Sequence, residues 1–295
     1  MPFGRVDLRP RGTTVRSKDP PKGARRVTPY RFALVTGASS GIGAAFARAL
    51  PAETSLLLTA RNAEALTQEQ HALSRPGRTV EVLSADLTTE EGRQALIAKA
   101  EALGIDLLIN NAGVGPFGAV AANAPEDERA TVELNVTATV VLTRALLPGM
   151  IDRAAAASRR AGLLLVSSTT AFQPVPYLAT YSASKSFILS YGESLAVELR
   201  RRPIDVLVLC PGATRTRFGA RSGFQVSTLP GAADADDVAR EGLSALGRRT
   251  VHVCGVGKRT VLAPFLWSRH TAAGGLGAVL SAFDRGGRFW RRPGL

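Results

Sequence analysis

The chain has 295 residues and is 45% hydrophobic, enough to bury one sizeable core, and about 250 residues is an ordinary size for a single α/β domain. A formal charge of +13 suggests nucleic acid until it is divided along the chain: residues 1–31 hold nine Lys/Arg against two Asp, and 258–295 hold seven against one. Between them the body, 32–257, carries 21 basic and 21 acidic residues, and that neutral body argues against nucleic-acid binding by the core.

The elements follow in chain order. Residues 1–31 are rich in Pro, Gly and Arg without apolar periodicity and read as a disordered basic arm. No apolar h-region follows that stretch, and no run of about 18 apolar residues occurs anywhere, so neither secretion nor membrane spanning is supported and a cytoplasmic location is expected. From residue 32, short apolar runs alternate with helical lengths. The runs are FALVT, SLLLTA, TVEVLSA, IDLLIN, GLLLVSS, IDVLVLC and TVHVCG; helices are expected at 44–50, 63–73, 89–103, 126–147, 181–201 and 236–246. Continuous apolar strands spaced by helices predict a doubly wound parallel sheet of about seven strands covered on both faces, a three-layer α/β sandwich of the Rossmann type. Residues 258–295 form a basic, Gly/Arg-rich extension. Cys210 and Cys254 lie inside apolar runs at a spacing that suits neither a disulfide framework nor a metal site. His71, His252 and His270 are far apart in sequence and read as structural or surface residues, so no metal is expected.

The first strand runs directly into TGASSGIG, residues 36–43, with a helix starting near Gly41. A strand, a glycine loop and a helix N-terminus make a phosphate cradle: glycine allows the tight turn, and the unpaired helix N–H groups attract pyrophosphate. This loop resembles the TGxxxGxG segment of the short-chain dehydrogenase/reductase family, and five further segments match in order. NNAG (110–113) resembles the motif after the fourth strand, Asn135 falls at the family's helix asparagine, and VSS ends the fifth strand. Ser168 precedes Tyr181 by thirteen residues, YSASK (181–185) fits YxxxK, and PGATRT (211–216) resembles the PGxxxT segment.

Helical spacing places Tyr181 and Lys185 on one face. A free tyrosine titrates near 10, and an ammonium alongside is expected to lower that value toward working pH. Tyr181 is then the candidate general acid/base for a carbonyl taking hydride, with Ser168 hydrogen-bonding the oxygen where charge develops. The resemblance further implies that Lys185 bonds the nicotinamide ribose and that Asn135 joins a water relay behind it. The catalytic set expected is therefore Asn135, Ser168, Tyr181 and Lys185.

Cofactor choice is read after the second strand, where Arg61 stands and no acid does. Arginine pairs with the 2′-phosphate of NADP, whereas Asp or Glu would hold the 2′-hydroxyl of NAD, so NADP(H) is expected. By resemblance the cofactor site takes Gly37, Ser39, Ser40, Gly41, Ile42 and Gly43 from the loop, Asp86 and Leu87 beside the adenine, and Asn111, Tyr181, Lys185, Thr214 and Thr216 along the cleft.

The family builds its substrate pocket after PG, here about 213–233, where Phe218, Phe224, Val226 and Leu229 mix with Arg215, Arg217 and Arg221. A largely apolar ketone, aldehyde or ketoacyl compound fits, with an acidic end accommodated by the arginines. Homodimers or homotetramers through the helices of Asn135 and Tyr181 are implied by the resemblance. Two other classes stay open: a silent NADP(H)-binding sensor, and membrane or nucleic-acid association through the basic ends, with the C-terminal tail touching a membrane surface.

Overall fold

The computed structural model of the chain describes residues 30–216, 218 and 231–254. The expectations for the basic arm (1–29), for most of the pocket loop, Phe224, Val226 and Leu229 included, and for the C-terminal extension fall outside those residues.

Seven strands form one parallel sheet: β1 (Phe32–Thr36), β2 (Ser55–Ala60), β3 (Val80–Ser84), β4 (Leu107–Asn110), β5 (Ala161–Val166), β6 (Ile204–Cys210) and β9 (Val251–Val253). β7 (Thr214–Arg215) and β8 (Ala233–Asp234) pair as a short separate ladder. The spatial order is β3-β2-β1-β4-β5-β6-β9. The chain therefore starts at the centre, winds outward one way, and returns to wind the other, which opens a crevice at the carboxyl ends of β1 and β4. Asp106 fixes the entry to the first strand, its carboxylate accepting the backbone N–H groups of Arg31 and Phe32 at 2.9–3.0 Å.

Side-chain alternation along strands buried on both faces divides the core in two. One face carries Val35, Leu58, Ile109 and Leu209 against α1 (Gly41–Ala49), α2 (Ala63–Leu73) and α7 (Ala235–Ala245). The other carries Leu34, Leu57, Leu108 and Val208 against α3 (Glu90–Leu103), α5 (Ala138–Ala156) and α6 (Ala179–Glu198). A one-residue register slip would exchange the two sets, and each of these Leu or Val side chains is worth about 1.5–3 kcal/mol buried, so the pattern strongly specifies the pairing. Helix starts follow local chemistry: Asn62 Oδ1 accepts Ala65 N–H at 2.9 Å and Thr89 Oγ accepts Gly92 N–H at 3.1 Å.

The helix expected at 126–147 is different in two ways. It begins as α4 (Pro125–Val132), widens into a π turn over Glu133–Thr137, and continues as α5 to Ala156, passing through Pro148. Proline removes one helix hydrogen bond, but Leu142, Leu146, Met150, Ile151 and Ala154 keep an apolar face buried on both sides of it, and that burial outweighs the lost bond. By length and composition alone the stretch Pro125–Ala156 is apolar enough to cross a membrane, with a mean hydropathy of 1.4 in its most apolar window; in this fold its apolar side is part of the core.

Candidate active site

The crevice between β1 and β4 is locked by side-chain bonds. Thr36 Oγ1 accepts the N–H groups of Asn111 and Ala112, both at 2.9 Å, and Asn111 Nδ2 donates to Thr36 O at 2.8 Å. Asn111 thus uses its Nδ2 to hold the start of the glycine loop, and its side chain stays half-buried. Above this lock sits the glycine loop. Gly37 and Gly41 adopt φ of +68° and +57°, which a side chain would strain. A Cβ on Gly43 would lie 2.2 Å from Gly37 O, and one on Gly41 would lie 3.0 Å from Thr216 Cγ2. Ser40 is the N-cap of α1 but its side chain makes no capping bond, leaving the first turn's N–H groups without a side-chain acceptor. A backbone cradle of this kind, beside a positive helix end, fits a pyrophosphate. Ser39 and Ile42 lie half-buried within it, and the fold brings the Thr216 side chain beside Gly41.

Arg61 and Asp86 end β2 and β3 side by side. Their nearest charged atoms are 4.0 Å apart, with more than half of the Arg61 side chain exposed. Burial raises the Asp86 carboxyl, but hydrogen bonds from Thr88 N and Oγ1, at 2.9 and 2.8 Å, and the Arg61 charge hold it below its ordinary value. Leu87 turns its side chain into the core, so only its backbone faces outward. Thr214 is buried and donates to Gly212 O at 3.0 Å.

Ser168, Tyr181 and Lys185 converge at the ends of β5 and α6. Ser168 caps the short 3₁₀ turn Thr169–Phe172, its Oγ accepting Thr170 N–H at 3.1 Å, and its hydroxyl also hydrogen-bonds Tyr181. Lys185, 4% exposed, donates from Nζ to Val166 O at 2.9 Å and stands 5.7 Å from the centre of the Tyr181 ring. The spacing does place both side chains in one cleft, yet the expected lowering of the phenol does not occur. Burial pushes Tyr181 up to about 12, against the pull of the Ser168 hydrogen bond, because the loss of water disfavours tyrosinate more than neighbouring groups favour it. Burial likewise brings Lys185 down to about 8, opposed by Cys210.

Asn135 lies in the π turn, 1% exposed. It clamps the loop after β4: Oδ1 accepts Val114 N–H at 2.9 Å while Nδ2 donates to Val114 O at 2.8 Å and to Ser184 Oγ at 2.9 Å. Ser184 in turn donates to Tyr181 O at 2.7 Å. Sequence reasoning missed this link although Ser184 sits inside YSASK. It also missed Gly115, where a Cβ would lie 2.6 Å from Tyr181 Cδ2, so glycine gives the ring its seat.

Two pocket expectations meet the structure differently. Phe218 does reach the site, its ring centre 5.2 Å from that of Tyr181. Arg215 is instead committed to Asp234, through bonds of 3.0 and 2.7 Å across the β7–β8 ladder. A separate cavity of about 450 Å³ lies at the amino ends of the central strands, lined by Arg31, Asp106 and Arg153, and shares no residue with this site.

Residues 31–225 match the family model described as short chain dehydrogenase. The chain belongs to the short-chain dehydrogenase family. This short-chain dehydrogenase is 34% identical over 198 residues to dehydrogenase/reductase SDR family member 4 of Sus scrofa, covering 66% of the present chain and 69% of that protein. Among solved structures it resembles a short-chain dehydrogenase from Sphingobium yanoikuyae in complex with NADPH, with 29% identity, a TM-score of 0.69 and coverage of 88% and 97%. A short-chain dehydrogenase/reductase from Burkholderia phymatum in complex with NAD shares the fold at TM-score 0.72 and 24% identity, over 83% and 95%. The short-chain dehydrogenase is therefore an oxidoreductase using a nicotinamide dinucleotide, on the doubly wound sheet that its strand pattern predicts.

Proposed function

We propose that this oxidoreductase is NADP(H)-dependent and interconverts a carbonyl and an alcohol, with Tyr181 as general acid/base. The observation that carries the reading is the Ser168–Tyr181–Lys185 group, Ser168 and Lys185 buried and Tyr181 half-buried, beside a glycine cradle at the sheet's crevice. Gly37, Ser39, Ser40, Gly41, Ile42 and Gly43 hold the pyrophosphate, Arg61 the 2′-phosphate, Asp86 and the Leu87 backbone the adenosine end, and Thr214, Thr216 and Lys185 the nicotinamide end. When bound, the dinucleotide supplies or accepts the hydride. Ser168 orients the substrate oxygen by hydrogen bonding while Tyr181 Oη gives it a proton as negative charge develops. A phenol near 12 is fully protonated at neutral pH, so the group is ready as an acid, in the direction of carbonyl reduction. Asn135, through Ser184, fixes the start of α6 on which Tyr181 rides.

Phe218 against Tyr181 supports a largely apolar ketone, aldehyde or ketoacyl substrate; with Arg215 engaged by Asp234, an acidic substrate end loses one of its three candidate partners. Exposed Val132 on α4 and Phe187 and Val197 on α6 support a homodimer or homotetramer through those helices. The test is consumption of NADPH and of NADH with a panel of aliphatic and aromatic ketones, aldehydes and ketoacyl thioesters. Turnover with NADPH preferred is expected; no turnover of any carbonyl with either cofactor overturns the reading.

A further inference from the structure

Glu241, His252 and Cys254 are scattered in sequence and joined by the fold. β9 runs along the edge of the sheet with α7 packed beside it, and residues two apart on an extended segment face the same way. His252 and Cys254 therefore both look toward α7, where Glu241 is carried. His252 Nε2 lies 2.8 Å from Glu241 Oε2, and one ligand atom from each of the three residues lies within 4.8 Å of the others. Cys254 is 3% exposed, and its backbone is fixed by a 3.1 Å bond from its N–H to Cys210 O.

We propose that Glu241, His252 and Cys254 form a binding site for a divalent transition metal, and that zinc is the ion the donor set suits. A thiolate, an imidazole and a carboxylate are the three ligand types of protein zinc sites, and two anionic ligands neutralise a divalent charge at a nearly buried position. Zinc bond lengths of about 2.0–2.3 Å in a tetrahedron place ligand atoms about 3.3–3.6 Å apart. The histidine–glutamate pair must open by about half an ångström to admit the ion. Glu241, the most exposed of the three at 38% of its side chain, can make that movement. Water completes the fourth position. The site shares no residue with the catalytic group; it ties β9, whose neighbour among the described strands is β6, to the helix layer. The Cys254 thiol adds a third ligand type within the same radius as the His252–Glu241 pair.

The test uses the untagged full chain, stripped with a chelator and titrated with zinc alone or cobalt alone. One metal per chain is expected, and cobalt should give a thiolate-to-metal charge-transfer band. The chain has two cysteines, so Cys254→Ser should abolish that band and Cys210→Ser should keep it. His252→Ala and the surface change Glu241→Gln should weaken zinc by at least the roughly 10–100-fold that loss of an outer-shell partner costs. No band in the unaltered chain, a band that survives Cys254→Ser, or zinc affinity unchanged by His252→Ala and Glu241→Gln would each overturn the proposal. Circular dichroism of each variant separates loss of metal from loss of fold.

Discussion

Lys185 offers a perturbation whose size the structure sets. Burial takes its ammonium from an ordinary 10.5 down to about 8. The folded chain thus binds this proton more weakly than the unfolded chain, so the ionised lysine opposes folding fully below pH 8, and stability from this group rises as pH climbs from 8 toward 10.5. At about 1.4 kcal/mol per unit, the burden is roughly 3 kcal/mol at about pH 7 and roughly 1 kcal/mol at about pH 9.5. Lys185→Met removes the burden while leaving Val166 O without its Nζ donor, a cost of about 1–3 kcal/mol that is the same at both pH values. The variant's stability relative to the parent should therefore fall by about 2 kcal/mol between about pH 7 and about pH 9.5. Urea unfolding of both proteins at both pH values measures this, other titrating groups cancelling in the comparison. A difference constant to within about 0.5 kcal/mol would refute the buried, weakened ammonium on which the site's electrostatics rest. The same variant should lose activity, because the charge serves the cleft at the fold's expense.

Arg61→Asp should weaken NADPH by about 10–100-fold, the worth of a charge-assisted hydrogen bond of about 1.5–3 kcal/mol, and NADH much less; equal Michaelis-constant changes for both would remove Arg61 from the 2′-phosphate. Gly43→Ala puts a methyl 2.2 Å from Gly37 O and 2.6 Å from Asn111 Nδ2, neither on a flexible arm. The strain of about 1–3 kcal/mol should loosen NADPH by roughly 5–150-fold, read from the fluorescence of the bound cofactor; an unchanged dissociation constant would contradict the cradle.

The sheet was legible because most of its strands are continuous apolar runs of strand length separated by segments of helical length, the pattern of a parallel sheet covered on both faces. The glycine loop and YSASK were legible because their chemistry is local: a turn followed by a helix start, and two residues one helical turn apart. What sequence hid was set by tertiary contact. The π turn at Glu133–Thr137 carries no residue signal, since its widening answers to the clamp that Asn135 makes on Val114. The rise in Tyr181 depends on how much water the fold removes, a quantity the four-residue spacing does not contain. Arg215 reads as a free cation until β7 and β8 pair and bring Asp234 to it. His252 reads as isolated because Glu241 and Cys254 reach it through helix packing and strand alternation.

The proton donor is the centre of this account, and Tyr181→Phe tests it most directly. With NADPH and whichever carbonyl the panel identifies, kcat should fall by about 10²–10⁴-fold, the contribution of a positioned general acid, while the dissociation constant for NADPH stays within about twofold. A variant that keeps kcat within about tenfold of the parent, with NADPH still bound, would contradict it.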